Sequence, residues 1–456
     1  MFEKNILINR RSRICDKVQS GLIFLYGNNP VPMNYPSNTL RFRQDSNFLY
    51  YCGLDFPGLN VVIDTESKRS VLFGDDLTSD DIVWEGSRIS VMDMATQVGI
   101  EESMPTSKLE QYLSSYKGKI HYLPAYRAEH INFLRSLFNQ KIHTSKELIS
   151  SVIAQRSIKA KEEISEIESA LTITAEMHKI AMQNSSDGVT EQSVVGKMEG
   201  YALSNGSRLA YPSIFTINGE ILHNNNYHNL MKNGQLLLND SGAESSNYYA
   251  SDITRTFPVS GKFSSQQKEI YSIVFKMQEA ALKLCKAGNS FKSAHLEASR
   301  IAVEGLKSLG LMCGDTESAV QNGAHALFFP HGLGHMLGLD VHDMEGLGED
   351  LVGYESGSDR SDQFGLAYLR LSKELKSGFV ITVEPGIYFI PHLIDDWASS
   401  NKLADFIIYD EVKKYKGFGG IRIEDNVHIT ENGHEILGPN IPKTISEIES
   451  CMAGSA

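Results

Sequence analysis

Cysteine is scarce in this chain, with five residues among 456, and the five are widely scattered. Their number is odd and no two of them form a CxxC pair, so the sequence predicts neither a disulfide framework nor a cysteine-based zinc site. Unpaired cysteines are typical of proteins from reducing compartments. We therefore expect a cytoplasmic protein.

Long apolar runs are also absent from the sequence. No stretch approaches the ~18 consecutive apolar residues that a membrane span requires. At the N-terminus, Lys4, Arg10 and Arg11 fall where a signal peptide would need an unbroken apolar core. We expect neither a membrane span nor a secretory signal.

Basic residues are outnumbered, with 43 lysines and arginines against 56 acidic residues and a net charge of −13. This charge repels phosphate backbones and anionic lipid surfaces, and the sequence has no local basic patch that would offset it. Nucleic acids and membranes are therefore not expected partners.

The chain has enough apolar residues to build large cores, and its length exceeds what one core usually organises. We predict a smaller α/β domain over residues 1–157 and a larger α+β domain over residues 158–456. In the first domain, Leu59–Asp64 and Ser70–Phe73 have strand-like patterns. No internal repeat or low-complexity tract is present.

Strong helical periodicity begins the second predicted domain. The apolar spacing predicts an amphipathic helix over Lys159–Gln183, and two more helices over Ser265–Ala287 and Ser290–Leu309. Ser264 and Gln267 form a capping-box pattern before the second of these helices. The segment Gly346–Asp362 is predicted to be a surface loop. The predicted strands of this domain are Gln235–Asp240, Tyr248–Thr256, Phe379–Phe389 and Gly420–Thr430.

Five candidate metal ligands lie on or beside these predicted strands. Four are carboxylates and one is an imidazole, a set that suits divalent manganese, cobalt or zinc. Converging carboxylates raise one another's pKa, and two divalent ions would remove that repulsion and supply a hydroxide for amide hydrolysis. The five residues are Asp240, Asp252, His335, Glu384 and Glu424.

Strand patterns indicate how some of these side chains come together. A hairpin between two predicted strands would bring Asp240 and Asp252 to one face. In the last predicted strand, Arg422 and Glu424 share a face, so Arg422 is expected to orient the metal-binding carboxylate from outside the ligand set.

Four runs of residues resemble the metal-binding segments of Xaa-Pro peptidases, the aminopeptidase P and prolidase branch of the pita-bread metallopeptidases. They occur in the expected order, and an N-terminal run, Phe42–Phe48, adds a match to the N-terminal domain of that family. The four runs are Ala250–Pro258, His331–Asp343, Thr382–Tyr388 and Gly420–Asp425.

This resemblance implies a pita-bread catalytic domain behind a creatinase-type N-terminal domain, with two divalent metal ions, manganese first among them. It implies that Asp252 and Glu424 bridge both ions and that Asp240 chelates one. His335 and Glu384 would complete the other, and Glu384 would also relay a proton. The substrate side of the site would be lined by His223, His331 and His342.

One feature departs from the family pattern. Asp240 and Asp252 are twelve residues apart in place of the usual eleven, with Glu244–Tyr248 where a shorter turn is common. A bulge can absorb an extra residue without changing which face the strands present, and Asn247 tolerates a left-handed conformation. We therefore keep both aspartates as predicted ligands.

The resemblance leaves the length of the proline-containing substrate open. Arg370 lies where dipeptide-cleaving relatives bind the substrate carboxylate, which favours a prolidase, whereas other segments resemble aminopeptidase P equally well. We favour an Xaa-Pro aminopeptidase and keep the dipeptidase as the alternative. Remote alternatives are a metal-free pita-bread binding protein and a creatinase-like hydrolase, and relatives suggest a homodimer or homotetramer.

Overall fold

The computed structural model describes residues 2–138 and 143–454. The chain divides into two units, one of Met1–Arg156 with Gly346–Gly348 and one of Ser157–Glu345 with Glu349–Ala456. Within the described ranges, no helix combines the length and the apolar character needed to cross a membrane.

The first unit is built on a mixed five-stranded sheet. Its strands are β1 Leu22–Tyr26, β2 Asn60–Asp64, β3 Ser70–Phe73, β4 Glu102–Met104 and β5 Ile120–Tyr122. Their order in the sheet is β4-β3-β2-β1-β5. The β1–β2 and β2–β3 pairs are antiparallel, whereas β3–β4 and β1–β5 are parallel. The two strands predicted in this unit are confirmed as β2 and β3. The helices are α1 Lys4–Cys15, α2 Ser46–Cys52, α3 Ser79–Glu85, α4 Val91–Val98, α5 Leu109–Ser115, α6 Ala128–Leu137 and α7 Lys146–Ser157.

Arginines near the N-terminus contribute to the interior of this unit. Arg11 is 3% exposed and donates hydrogen bonds to the carbonyls of Tyr51, Val98 and Gly99, so it joins α1 to the C-terminal ends of α2 and α4. Arg10 is also buried and lies over the ring of Tyr50. Because a buried guanidinium needs hydrogen-bond partners, helix ends with unpaired carbonyls are suitable neighbours.

The second unit contains the three long helices that periodicity predicted. They are confirmed as α8, α10 and α11, and each lies within about three residues of its predicted ends. The predicted capping box is also confirmed, because Ser264 accepts from the backbone N–H of Gln267 and the Gln267 side chain accepts from that of Ser264. The helices of this unit are α8 Lys161–Asn184, α9 Glu191–Ser204, α10 Ser265–Leu284, α11 Phe291–Ser308, α12 Thr316–Gln321, α13 Glu349–Gly353, α14 Pro391–Ser399, α15 Tyr409–Val412 and α16 Ile445–Met452.

The strands of the second unit form several small sheets. The strands are β6 Arg208–Leu209, β7 Ile214–Thr216, β8 Leu236–Ser241, β9 Ala243–Glu244, β10 Ile253–Pro258, β11 Val380–Val383, β12 Gly386–Tyr388, β13 Gly420–Arg422, β14 Asp425–Ile429 and β15 His434–Ile436. Two sheets have three strands, in the orders β10-β8-β7 and β11-β14-β15, and the pairs β12-β13 and β6-β9 form two more. The strand pairs of these sheets are antiparallel.

Two predicted strands are each split in the structure. The prediction of one strand over Phe379–Phe389 was wrong, because β11 and β12 flank a break at Glu384 and Pro385. Gly420–Thr430 is likewise divided into β13 and β14 by a break that contains Glu424. Since β11 pairs with β14 and β12 pairs with β13, the chain changes sheet at both breaks.

Two other predictions need correction. The predicted loop Gly346–Asp362 contains α13, which Arg360 stabilises by pairing with Glu349 and Asp350 in its first turn. The strand predicted from Tyr248 begins only at Ile253. Tyr248, rather than Asn247, adopts the left-handed conformation, with φ of 67°, in the turn that absorbs the extra residue.

Candidate metal centre

The hairpin formed by β8 and β10 carries the two predicted metal aspartates. Asp240 lies in β8 opposite Thr254, and Asp252 immediately precedes β10. Both aspartates are buried, with 8% and 5% of their surface exposed. Since Asp252 follows the tight turn that ends at Ala250, the hairpin returns its carboxylate to the neighbourhood of Asp240, as the sequence predicts.

His335 lies on a loop that runs along β11. Its backbone N–H donates to Thr382 Oγ1 at 3.1 Å, and the Thr382 N–H donates to its carbonyl at 3.0 Å. A Cβ on the preceding Gly334 would lie 2.1 Å from the Thr382 carbonyl oxygen, so this approach requires glycine. Nδ1 of His335 donates a hydrogen bond to the Met336 carbonyl at 3.0 Å, which leaves the Nε2 lone pair for a metal.

Glu384 and Glu424 occupy the two strand breaks. Gln278 of α10 is fully buried, and its Nε2 donates to the carbonyls of Val383 at 3.1 Å and of Ile423 at 3.4 Å. These carbonyls belong to the residues immediately before the two glutamates. Gln278 therefore satisfies the backbone groups that the breaks release and holds both glutamates beside each other.

These elements converge on one small volume. Asp252, His335 and Glu424 offer ligand atoms that all lie within 4.8 Å of one another. Nε2 of His335 is 3.3 Å from Asp252 Oδ2 and 3.7 Å from Glu384 Oε1. The structure thus brings the five predicted ligands together on the wall of one cavity.

The surroundings of the carboxyl groups shift their pKa values upward. Burial, followed by the charge of Asp240, raises the pKa of Asp252 to about 8. Burial raises the pKa of Glu384 to about 7, although His335 and Arg422 oppose it. Burial and the nearby Asp252 hold the pKa of Glu424 well above its usual range. A bound dication would reverse these shifts, because it favours the ionised form of each carboxyl.

Tyr211 contributes to the site, and sequence reasoning missed it. Its hydroxyl is 2.6 Å from Asp240 Oδ1 and 2.5 Å from Asp252 Oδ1. Burial and the two aspartates raise the pKa of Tyr211 well above its usual range, so the hydroxyl keeps its proton. Tyr211 lies 29 residues before Asp240, and no periodicity or spacing signal connects the two.

Arg422 contacts a different carboxylate from the one expected. The expectation was that it orients Glu424, but its Nη2 lies 2.5 Å from Asp240 Oδ2. Its Nε donates to Thr254 Oγ1 at 3.1 Å, and Thr254 in turn donates to Glu424 at 2.6 Å. The difference arises because Glu424 lies in a strand break and does not follow the alternation that a continuous strand would impose.

The three predicted substrate-side histidines line the same cavity, and they differ in the number of hydrogen bonds that hold their rings. His331 is held at both ring nitrogens, by the Gly332 carbonyl at 2.7 Å and the Tyr388 hydroxyl at 2.8 Å. Burial lowers the pKa of His331 to about 3, so this ring stays neutral. The ring centroid of His342 lies 4.0 Å from that of His335, with the ring planes tilted by 38°, and Nδ1 of His342 contacts Glu345 at 3.1 Å.

His223 lies on a segment without regular structure that a buried carboxylate fixes at both ends. Glu191, at the start of α9, accepts hydrogen bonds from the backbone N–H groups of Ile217 at 2.8 Å and Asn229 at 3.2 Å. Among the described residues, the His223 ring has no hydrogen-bond partner. Its imidazole is therefore exposed to the cavity and available to a ligand.

The cavity has a volume of about 770 Å³. Besides the charged groups, its wall includes apolar side chains, and Arg370 lies at one edge. The site therefore combines a carboxylate cluster suited to cations with an apolar recess large enough for a short peptide. The apolar lining includes Ile214, Leu222, Phe364, Ile390 and Leu393.

Comparison with known families gives two matches. The chain matches the family described as Metallopeptidase family M24 over residues 165–431. It matches the family described as Aminopeptidase P, N-terminal domain, over residues 7–122. The first match contains Asp240, Asp252, His335, Glu384 and Glu424.

Relatives agree with these matches over nearly the whole chain. The chain is 32% identical over 467 residues to the Xaa-Pro dipeptidase of Homo sapiens, which covers 97% of this chain and 92% of the human protein. It is 34% identical over 445 residues to a probable Xaa-Pro aminopeptidase of Paracoccidioides brasiliensis, covering 94% and 92%.

Solved structures agree as well. A variant of Escherichia coli aminopeptidase P in complex with substrate superposes with a TM-score of 0.84 at 30% identity, covering 100% of this chain and 99% of that chain. The zinc-substituted Escherichia coli enzyme in complex with product gives a TM-score of 0.83 at 29% identity, with the same coverage.

Proposed function

The chain belongs to metallopeptidase family M24 and has the pita-bread fold, and from this membership we propose that it hydrolyses Xaa-Pro bonds as a dinuclear aminopeptidase. In this proposal it removes the N-terminal residue from peptides with proline in second position. The observation that carries the proposal is the convergence of Asp252, His335 and Glu424 within 4.8 Å in a peptide-sized cavity. We propose residues 158–456 as the catalytic domain and residues 1–157 as the N-terminal domain.

The donor set of four carboxylates and one imidazole suits divalent cations, and we propose that it would hold two of them. In this proposal Asp252 and Glu424 would serve both ions, Asp240 would serve one, and His335 with Glu384 would serve the other. When bound, two such cations would supply a hydroxide at neutral pH and polarise the scissile carbonyl. The oxygen-rich set is compatible with manganese, cobalt and zinc, and we propose manganese.

The protein's own residues would bind and orient the peptide. We propose that His223 donates a hydrogen bond to the scissile carbonyl as negative charge develops on it, since its ring has no partner among the described residues. His342 is proposed to line the substrate side next to it. His331, which is held at both nitrogens, forms the wall against which the proline ring packs. Glu384 is proposed to carry the proton to the departing proline nitrogen.

Residues next to the proposed ligands hold these side chains in place. Arg422 and Tyr211 each bond Asp240 and fix the direction of its carboxylate. Gln278 holds the two breaks that carry Glu384 and Glu424. Residues that hold ligands in this way usually change metal affinity about 10–100-fold when they are removed.

A metal-dependence experiment tests the proposal. Protein stripped with a chelator should lose hydrolysis of Ala-Pro-Ala and regain it with Mn²⁺, with release of free alanine as the readout. As a matched control, the exposed Glu431→Gln variant should keep full activity. Hydrolysis that persists after complete metal removal would rule out the two-metal mechanism.

The Xaa-Pro dipeptidase is the alternative function. It is favoured by Arg370, a cationic residue at the edge of the cavity that could meet a dipeptide's carboxylate. The metal-free and creatinase-like alternatives are disfavoured by the presence of all five candidate ligands on one cavity wall.

Assembly and location are further parts of the proposal. We propose a homodimer or homotetramer, supported by a group of exposed apolar side chains on and after α3. Val83, Trp84 and Met92 are 77%, 86% and 50% exposed, and patches of this kind often mark protein interfaces. Light scattering of Trp84→Ala should give a smaller particle than the unchanged protein.

We also propose a cytoplasmic location, in keeping with five free cysteines.

A further inference from the structure

Arg370 is matched by two carboxylates of the protein itself. Its Nη1 lies 2.6 Å from Glu345 Oε2 and 3.1 Å from Glu349 Oε2. Glu345 is well buried, with 18% of its side chain exposed, whereas Glu349 and Arg370 are about one-third exposed. The cation at this edge of the cavity is therefore engaged before any substrate arrives.

The charge balance of this edge is negative. Glu349 also pairs with Arg360, and Arg360 pairs with Asp350 at 2.6 Å. Two guanidinium groups thus face three carboxylates, which leaves one negative charge in excess. His342 contacts Glu345 through Nδ1 at 3.1 Å.

A free Xaa-Pro dipeptide would place its terminal carboxylate against this edge. That carboxylate would have to share Arg370 with Glu345 and Glu349, and like charges at such short range repel strongly. Discrimination between two ligands is commonly achieved by an unfavourable charge that only one of them meets. The free dipeptide meets such a charge, and a peptide that continues beyond proline does not.

We propose that Glu345 and Glu349, by neutralising Arg370, make this site selective for peptides that continue beyond proline over free Xaa-Pro dipeptides. The inference rests on the proposed Xaa-Pro peptidase function and names its substrate class. Within the described chain, Nε and Nη2 of Arg370 have no hydrogen-bond partner. These groups can donate to the neutral carbonyl oxygen of the proline residue without bringing a second anion beside Glu345.

The size and lining of the cavity agree with this substrate class. Its volume of about 770 Å³ exceeds what a dipeptide fills, and Phe364, Tyr368 and Ile390 offer apolar surface for further residues. Arg370 thus acts as a donor to a backbone carbonyl, and Glu345 and Glu349 determine that a neutral group is preferred there.

The test compares two substrates that differ by one charge, Ala-Pro and Ala-Pro-NH₂, on the Mn²⁺-loaded protein. We expect kcat/KM for the amide to exceed that for the acid by at least about tenfold, the factor that corresponds to one modest charge interaction. Raising ionic strength should narrow this ratio, because salt screens the repulsion at a partly exposed edge.

Two variants, each of which removes one negative charge, test whether Glu349 is responsible for the preference for the amide. Glu349→Gln removes a contact with Arg370 and should reduce the amide-to-acid ratio at least about threefold. Asp350→Asn is the matched control, because Asp350 pairs with Arg360 and not with Arg370, and it should leave the ratio within about twofold. Glu345 is not substituted, since it also contacts His342.

The outcomes separate this inference from the proposed function. The selectivity would be overturned if both substrates were cleaved with a preference for Ala-Pro. It would also be overturned if the amide-to-acid ratio changed equally in the Glu349 and Asp350 variants. Either result would leave the peptidase function intact. If neither Ala-Pro nor Ala-Pro-NH₂ is cleaved with any divalent metal, the proposed function fails and the selectivity fails with it.

Discussion

Glu424 and Asp425 are neighbours in the chain and both are almost completely buried, yet their electrostatic environments are opposite. Glu424 faces the carboxylates of Asp252 and Glu384, and burial with these charges raises its pKa well above the usual range. Burial would raise the pKa of Asp425 too, but Arg255 at 2.7 Å and Lys443 at 2.6 Å lower it to about 2.

The difference separates a structural carboxylate from one suited to binding a cation. The positive charges that balance Asp425 come from the protein itself, so this carboxylate needs no added cation. The region around Glu424 has four carboxylates, and its one arginine, Arg422, directly contacts only that of Asp240. A buried anionic group of this kind is stable only when it is protonated or when cations come from solution.

The largest expected effect comes from neutralising Glu424. Glu424→Gln should lower kcat on Ala-Pro-Ala at least about 10³-fold, because it removes a carboxylate proposed to bridge both cations. The chelator-treated variant should unfold at no lower denaturant concentration than the unchanged protein, since one repulsive group is gone. A variant that keeps its activity would show that Glu424 is not a ligand.

Neutralising Asp425, the adjacent residue, should lower the stability of the metal-free protein, whereas neutralising Glu424 should not. Asp425→Asn leaves the buried Arg255 and the partly exposed Lys443 without their anion and should cost about 3–5 kcal/mol of unfolding free energy. Chemical denaturation in the presence of chelator measures this loss without a contribution from metal. If Asp425→Asn and Glu424→Gln were equally stable, the contrast between the two regions would be wrong.

A smaller effect is expected from a residue that contacts the cluster without belonging to it. Tyr211→Phe removes the hydroxyl that bonds both Asp240 and Asp252, and it should weaken Mn²⁺ affinity about 10–100-fold. Isothermal titration gives the affinity directly. Tyr227→Phe is a suitable control, because its hydroxyl donates to the Ser213 carbonyl and contacts no candidate ligand. Equal losses in the two variants would contradict the assignment.

The pH dependence of stability should differ in sign between the two regions. The pKa of Asp252 is raised to about 8, so the folded metal-free protein keeps a proton that the unfolded chain loses near pH ~4. The stability due to this proton is lost as pH rises towards 8. The pKa of Asp425 is lowered to about 2, so its contribution is lost only as pH falls towards 2.

Thermal melts of the metal-free protein between pH 5 and pH 8 test this sign. The Tm should fall as pH rises, and the fall should be shallower in Asp252→Asn. Saturating Mn²⁺ should remove the decline, because cation binding releases the protons. A Tm that rises across this range without metal would contradict the raised pKa values.

Local sequence signals predicted the long helices well. The capping box at Ser264 and Gln267 marks the start of α10, and apolar spacing gives α8 and α11, because these signals depend on residues within one or two turns of each other. The strand breaks could not be predicted in this way. The alternation of Ile421 and Ile423 continues through the break at Glu424, and the partner that stabilises it, Gln278, lies far away in the chain.

The candidate site was predictable in its residue types but less so in its contacts. The motifs around Asp252, His335 and Glu424 indicated which side chains would meet, and the structure brings them within 4.8 Å. The partner of Arg422 and the position of Tyr211 depend on how separate strands pack, and a single sequence carries no local signal for that. Long-range hydrogen bonds were therefore the main part that the sequence left undetermined.

The strand breaks held by Gln278 also affect how the chain reaches its native state. A one-residue slip of β11 against β14, or of β12 against β13, keeps much of the backbone hydrogen bonding but turns every side chain of the shifted strand to the opposite face. Such a slip would turn Glu384 or Glu424 away and leave a weaker site. A ligand stabilises the state that binds it. Divalent cations would therefore favour the native strand register over the slipped one.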